Sequence, residues 1–131
     1  MTEDQFPMCQ GPDPDPTPAH FALPPGVIDC PAHIFGPESK YPYSPARGYT
    51  PPDAGLETYL GLHKTLGGIE RAVLTQPSVY GTDNSCMLDE VDRMDGKFFA
   101  VAAVGEDITD RELEGLHARR VRGARGNLVD K

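Results

Sequence analysis

The sequence predicts an α/β fold built on a parallel sheet, and three observations carry that prediction. Short apolar runs alternate with stretches whose apolar residues recur at helical spacing. One run, residues 98–104 (FFAVAAV), is apolar without a break, which suits a strand covered on both faces. The resulting order is β-loop-α, β-α, β-α, β, the pattern of right-handed βαβ units. Two architectures fit: an open doubly wound sheet, or part of a (β/α)8 barrel. No Gly-x-Gly-x-x-Gly follows the first strand, so a dinucleotide-binding fold has no motif behind it.

Each element has its own signal. Residues 1–25 hold seven of the fourteen prolines. Proline fixes φ and removes a donor, so "GPDPDPTPAH" cannot propagate a helix or a central strand. The expectation is a disordered, Pro-rich tail over 1–25 and one partial barrel domain over 26–131. Order begins at Val27 and Ile28, in a short strand that ends at His33. The loop "GPESKYPYSPARGYTPPD" is too long and too aromatic for a plain connector. Asp53 is placed to cap the first helix, whose buried face is Leu56, Tyr59, Leu60, His63 and Leu66, and Gly67-Gly68 ends it. "RAVLTQ" (71–76) reads as the second strand and "PSVYGTDN" as its loop. Met87, Leu88, Val91 and Met94 form the second helical stripe, closed by Gly96. Thr109 and Glu112 have the spacing of a capping box, with Ile108 and Leu113 as its staple and Leu113 and Leu116 as its buried face. Residues 121–129 (VRGARGNLV) supply a fourth strand and the start of its loop.

Composition narrows the partners. The chain has 131 residues, enough for one domain with a modest core, and a formal net charge of −8. Bulk electrostatics therefore argue against nucleic acid and anionic membrane surfaces. Arg119 and Arg120 read as a solvated helix end. Three widely spaced cysteines, Cys9, Cys30 and Cys86, form neither a disulfide framework nor a zinc pattern. With no signal peptide or membrane span visible, the expected location is cytoplasmic.

In a parallel α/β fold, chemistry sits at the carboxyl ends of strands. "DCPAHIFG", "TQPSVYGTDN", "VGED" and "RGARGN" qualify. Strand alternation puts Asp29, Pro31 and His33 on one face, with Asp29 about 13 Å from His33, too far to share a metal. A histidine at 31 would pair with His33, but Pro31 has no donor atom. On spacing alone, His33 is a satisfied strand-end histidine.

The blocks "DCPAHIFGPESKYPYSPARGYTPPDAGLETYLGLHKTLGGIERAVLTQPSVYGTDN" and "DITDRELEGLHARRVRGARGNLV" resemble the amino-terminal part of the amidohydrolase superfamily. The closest branch contains lactonases that hydrolyse 2-pyrone-4,6-dicarboxylate. The resemblance covers roughly residues 24–131 and implies the first part of a TIM-like (β/α)8 barrel, about three βα units plus a fourth strand. It implies a hydrolase acting by water attack on the carbonyl of a carboxylated lactone. His33 matches the second histidine of the family's His-x-His pair, which binds a divalent metal, often zinc, in metal-dependent members; the lactonase branch requires none. Tyr49, Ser78 and Arg125 match positions that contact an anionic substrate, and Lys131 falls where the family places another cation. Pro31 replaces the first histidine, and Gly126 stands where the family has an aromatic residue. The later histidine ligands and the general-base aspartate have no counterpart here. The alternative expectation is therefore a truncated, inactive copy or an interaction module, joined by a homo-oligomeric or complementary chain.

Overall fold

The computed structural model describes residues 6–128. Its elements are β1 (Ile28–Ala32), α1 (Leu56–Thr65), β2 (Arg71–Thr75), a 3-10 turn (Ser78–Tyr80), α2 (Ser85–Arg93), β3 (Phe98–Ala103), α3 (Asp110–Ala118) and β4 (Val121–Arg125). The four strands form one sheet in sequence order, each parallel to the next. A doubly wound sheet reverses its strand order at a switch point. This sheet does not, so of the two architectures it is the barrel segment that formed.

The core lies between one face of the sheet and the apolar stripes of α1 and α2. Ala72, Leu74, Phe98, Ala100 and Ala102 are buried on the strands, against Leu56, Tyr59, Met87, Leu88 and Val91. The other face is different. Val73 pairs with Phe99 and Thr75 with Val101, and all four are only half-buried. Cover on both faces, expected from the unbroken apolar run, is therefore corrected: among the described residues one face is packed and the other is open. Apolarity records which faces a strand can bury, not which are buried in a given chain.

The helix ends follow their sequence signals with one correction. Thr109 and Glu112 form the capping box as expected, Thr109 Oγ1 accepting from the Glu112 amide at 3.2 Å. Gly67 and Gly68 have positive φ and end α1, Gly68 donating to the His63 carbonyl at 2.9 Å. Asp53, however, caps nothing. The N-cap of α1 is Gly55, with no side-chain cap bond, because Ala54 is held in an antiparallel bridge to Phe35 that delays the helix. The Asp53 carboxylate lies instead against Gly36, whose φ is +80° and where an added Cβ would clash with it.

Two further readings change. Leu113 and Leu116 do not form a buried face: α3 has no buried residue, and Leu113 is 43% exposed. Arg119 is not simply solvated. Its Nη2 donates to Asp92 at 2.7 Å and to Asp89 at 3.1 Å, tying the end of α3 to α2. Asp89 also accepts from the Tyr41 hydroxyl at 2.5 Å. That bond first, and the Arg119 guanidinium after it, hold the Asp89 carboxyl below the usual carboxylate range against partial burial. A lowered folded pKa stabilises the fold above the unfolded value of about 4, and that contribution is lost as pH falls through the folded value. The thermal midpoint is therefore expected to drop below about pH 4, less steeply in Asp89→Asn; equal slopes in both proteins would refute the assignment.

The loop between β1 and α1 is fastened to the sheet. The Tyr80 hydroxyl accepts from the Gly36 amide at 2.7 Å, Tyr43 packs on Tyr80 with ring centroids 5.2 Å apart, and Ser44 donates to the Val79 carbonyl at 2.7 Å. Residues 9–25 of the expected tail contain no strand or helix, but Met8 forms an isolated parallel bridge to Thr50. No helix among the described residues is long and apolar enough to cross a membrane.

Candidate active site

The site begins with an irregularity in β1. Asp29 pairs with Ala72 and Ala32 with Leu74, so three steps on β1 match two on β2. That bulge, at the Cys30-Pro31 peptide, breaks the side-chain alternation. The expectation that Asp29 and His33 share a face is thus corrected. Asp29 turns toward α1, where it accepts from the Tyr59 hydroxyl at 2.6 Å and from His63 Nε2 at 2.9 Å. This cluster supports packing at the amino end of the sheet. His33 sits beyond the bulge at the carboxyl end, exposed, with its ring 5.9 Å from that of Phe35.

Residues at the end of β2 hold both His33 and Arg125. His33 Nδ1 lies 2.6 Å from the Thr75 carbonyl. A carbonyl only accepts, so Nδ1 carries a proton and Nε2 is left for chemistry. Arg125, at the end of β4, donates from Nη1 to the Gln76 carbonyl at 2.8 Å, reaching past β3. Tyr49, from the loop after β1, lies near enough to Ser78 and Arg125 for both to pull its hydroxyl pKa down. Desolvation raises the Tyr49 pKa against both effects, so the phenol keeps its proton and can donate. The structure therefore gathers Tyr49, Ser78 and Arg125, and anchors His33 one residue away from the Arg125 contact. Lys131 lies outside the described residues.

Two residues with no role assigned from sequence hold this end together. Gln76 is fully buried, and its Nε2 donates to the carbonyls of Gly81 and Asp83 at 3.2 and 2.7 Å. Asn84 donates to the Ala103 carbonyl and accepts from the Ala103 amide, both at 2.9 Å. Together they set the turn carrying Ser78 against β2 and β3. Their signal was present: amides at the end of an apolar strand and its loop, where an unpaired polar group is costly.

The described residues do not fit a divalent metal. Position 31 offers no donor, His33 leaves a single nitrogen, Nε2, and no group of three or more His, Cys, Asp or Glu side chains converges among them. A Cβ built on Gly126 would meet nothing within 4 Å, so the space beside Arg125 that an aromatic side chain would occupy is open.

Comparison with known proteins adds what geometry cannot. A family model described as amidohydrolase matches residues 28–130. A 4-sulfomuconolactone hydrolase of Hydrogenophaga intermedia is 43% identical over 119 residues, covering 91% of this chain and 39% of its own length. A 2-pyrone-4,6-dicarboxylate hydrolase of Comamonas testosteroni is 39% identical over 117 residues, covering 89% of this chain and 38% of its own. An apo crystal structure of an Agrobacterium tumefaciens protein superposes with a TM-score of 0.73 at 32% identity, covering 84% of this chain and 38% of that one. The chain thus spans about 40% of the length of the curated relatives it matches.

Proposed function

Because the chain belongs to the amidohydrolase family and its strands form the amino-terminal part of that family's barrel, we propose that it contributes the substrate-binding half of a lactonase-like hydrolase acting on anionic lactones. The observation that carries this reading is the gathering of Tyr49, Ser78 and Arg125 at the carboxyl end of the sheet, beside His33. The two relatives compared are named for lactones bearing carboxylate or sulfonate groups. Arg125 presents a planar fork that suits such an anion. Tyr49 and Ser78 donate single hydrogen bonds beside it.

In the reaction, water attacks the lactone carbonyl and the ring C–O bond breaks. The proton from water ends on the departing oxygen. His33 Nε2, when it carries a second proton, polarises the carbonyl as negative charge develops on its oxygen. The reading takes the reaction as metal-independent, with Pro31 offering no donor beside His33. The base that takes the proton from water has no candidate among the described residues, and the proposal places it in the remainder of the barrel.

A second reading has one observation behind it. Phe99 and Val101 lie on an open sheet face, and β1 and β4 are free edges among the described strands. In that reading the chain is catalytically silent by itself and serves as an interaction module for a polypeptide, identical or complementary, that completes the barrel.

One assay separates the two. Binding of 2-pyrone-4,6-dicarboxylate and 4-sulfomuconolactone is followed by titration calorimetry, with and without zinc, beside Pro31→His. The first reading expects the unmodified chain to bind these lactones, unchanged by zinc, without turning them over by itself. Absence of binding for both lactones would discard it in favour of the second, and binding that appears only with zinc and Pro31→His would discard metal independence.

A further inference from the structure

Arg125 stands on β4 and Ser78 on the turn that Gln76 holds against the sheet, but Tyr49 stands on the long loop after β1. Its placement has another source. Thr50, the next residue, is bonded on both sides by the amino-terminal segment. The Thr50 amide donates to the Pro7 carbonyl at 2.9 Å, and the Thr50 carbonyl accepts from the Cys9 amide at 3.0 Å, a parallel bridge centred on Met8. The Thr50 amide belongs to the same planar peptide unit as the Tyr49 carbonyl. The bond to Pro7 therefore sets the tilt of that plane, and with it the direction in which the Tyr49 side chain leaves the backbone.

The same segment touches the loop on either side of that bridge. Before Tyr49, the Arg47 guanidinium lies 4.2 Å from the centre of the Phe6 ring and 5.7 Å from that of Tyr43. Arg47 also donates to Thr50 Oγ1 at 3.0 Å and to the Ser44 carbonyl at 3.1 Å. After Tyr49, Gly11 runs so close to Pro52 that an added Cβ would lie 3.0 Å from its ring. Cys9 itself is near enough to Tyr49 to act on its hydroxyl. Pro7 has a fixed φ, which lowers the entropy lost when the segment is ordered. We propose that residues 6–11 are a positioning element for Tyr49: by holding Arg47, Thr50 and Pro52 they keep its hydroxyl beside Ser78 and Arg125, aimed before the anion arrives. A donor already in place loses less freedom on binding, so the segment raises affinity through Tyr49 alone. This rests on the reading of the site as one for anionic lactones, and the test is arranged so that the two fail separately.

Phe6→Ala/Cys9→Pro in the full chain removes the stacked ring and the amide that bonds Thr50. Calorimetric titration with 2-pyrone-4,6-dicarboxylate compares it with the parent, with Tyr49→Phe and with the combination of both changes. Tyr49→Phe is expected to bind about three- to ten-fold more weakly, for one lost hydrogen bond. Phe6→Ala/Cys9→Pro is expected to bind about three-fold more weakly when Tyr49 is present and to add nothing in Tyr49→Phe. A penalty that is absent with Tyr49 present, or equally large without it, would overturn the positioning role. Nitration of Tyr49 by tetranitromethane, mapped by peptide mass, reads the same loop without a ligand. Tyr49 is expected to react about two-fold faster or more in the variant, while buried Tyr80 is unchanged. Equal Tyr49 rates would overturn the proposal. If Tyr80 also speeds up, the core has opened, and Phe6→Ala alone takes the variant's place. If no protein binds the dianion, the anionic-lactone reading falls, and the positioning of Tyr49 is decided by nitration alone.

Discussion

Phe98→Ala is expected to cost about 3–5 kcal/mol of folding stability, and its neighbour Phe99→Ala about 1 kcal/mol. The two residues share a side chain and differ only in the face they present. Phe98 is fully buried, its ring 5.9 Å from Tyr59 and 6.2 Å from His63. Truncation there leaves a cavity between sheet and α1 and removes the packing over the Asp29 cluster. Phe99 is half-buried, covered in part by the Arg122 guanidinium at 5.4 Å. Chemical denaturation of both variants checks the expectation. A Phe99→Ala penalty as large as that of Phe98→Ala would mean that another polypeptide covers the open face in solution. The same pair of measurements therefore also weighs the interaction-module reading.

Arg125→Ala is expected to weaken binding of 2-pyrone-4,6-dicarboxylate by about 10- to 100-fold, since a charge-assisted hydrogen bond contributes about 1.5–3 kcal/mol. Arg125→Lys keeps the charge and loses the fork, so it is expected to recover only part of that affinity. The fold should tolerate both changes, because β4 is an edge strand among the described strands and Arg125 gives it one side-chain bond, to the Gln76 carbonyl. Titration calorimetry gives the affinity and a thermal melt gives the control. Unchanged affinity in Arg125→Ala, with an unchanged melt, would remove this residue from the site.

Much of this protein was legible in its residues. The four strands, three helices and their order follow from short-range periodicity, and the capping box at Thr109 from a four-residue pattern. Such signals are local, so they survive without knowledge of the partners. Asp53 misled because a bridge between Ala54 and Phe35, residues far apart in sequence, moved the helix start by two positions. Leu113 misled because an apolar stripe announces that it can be buried, while burial needs a neighbour.

The sequence by itself determined a parallel α/β unit of family type, and its family resemblance pointed to His33, Tyr49, Ser78 and Arg125 as candidates. Tertiary structure decided how they meet. The bulge at Cys30-Pro31 turns Asp29 inward and leaves His33 at the carboxyl end, and the Thr75 and Gln76 carbonyls hold His33 and Arg125. It also decided that one sheet face is packed, and that a proline-rich segment rests on Thr50. The physical reason is range. Periodicity and capping act within a few residues, whereas register, face cover and docking depend on hydrogen bonds and contacts between segments the chain must first bring together.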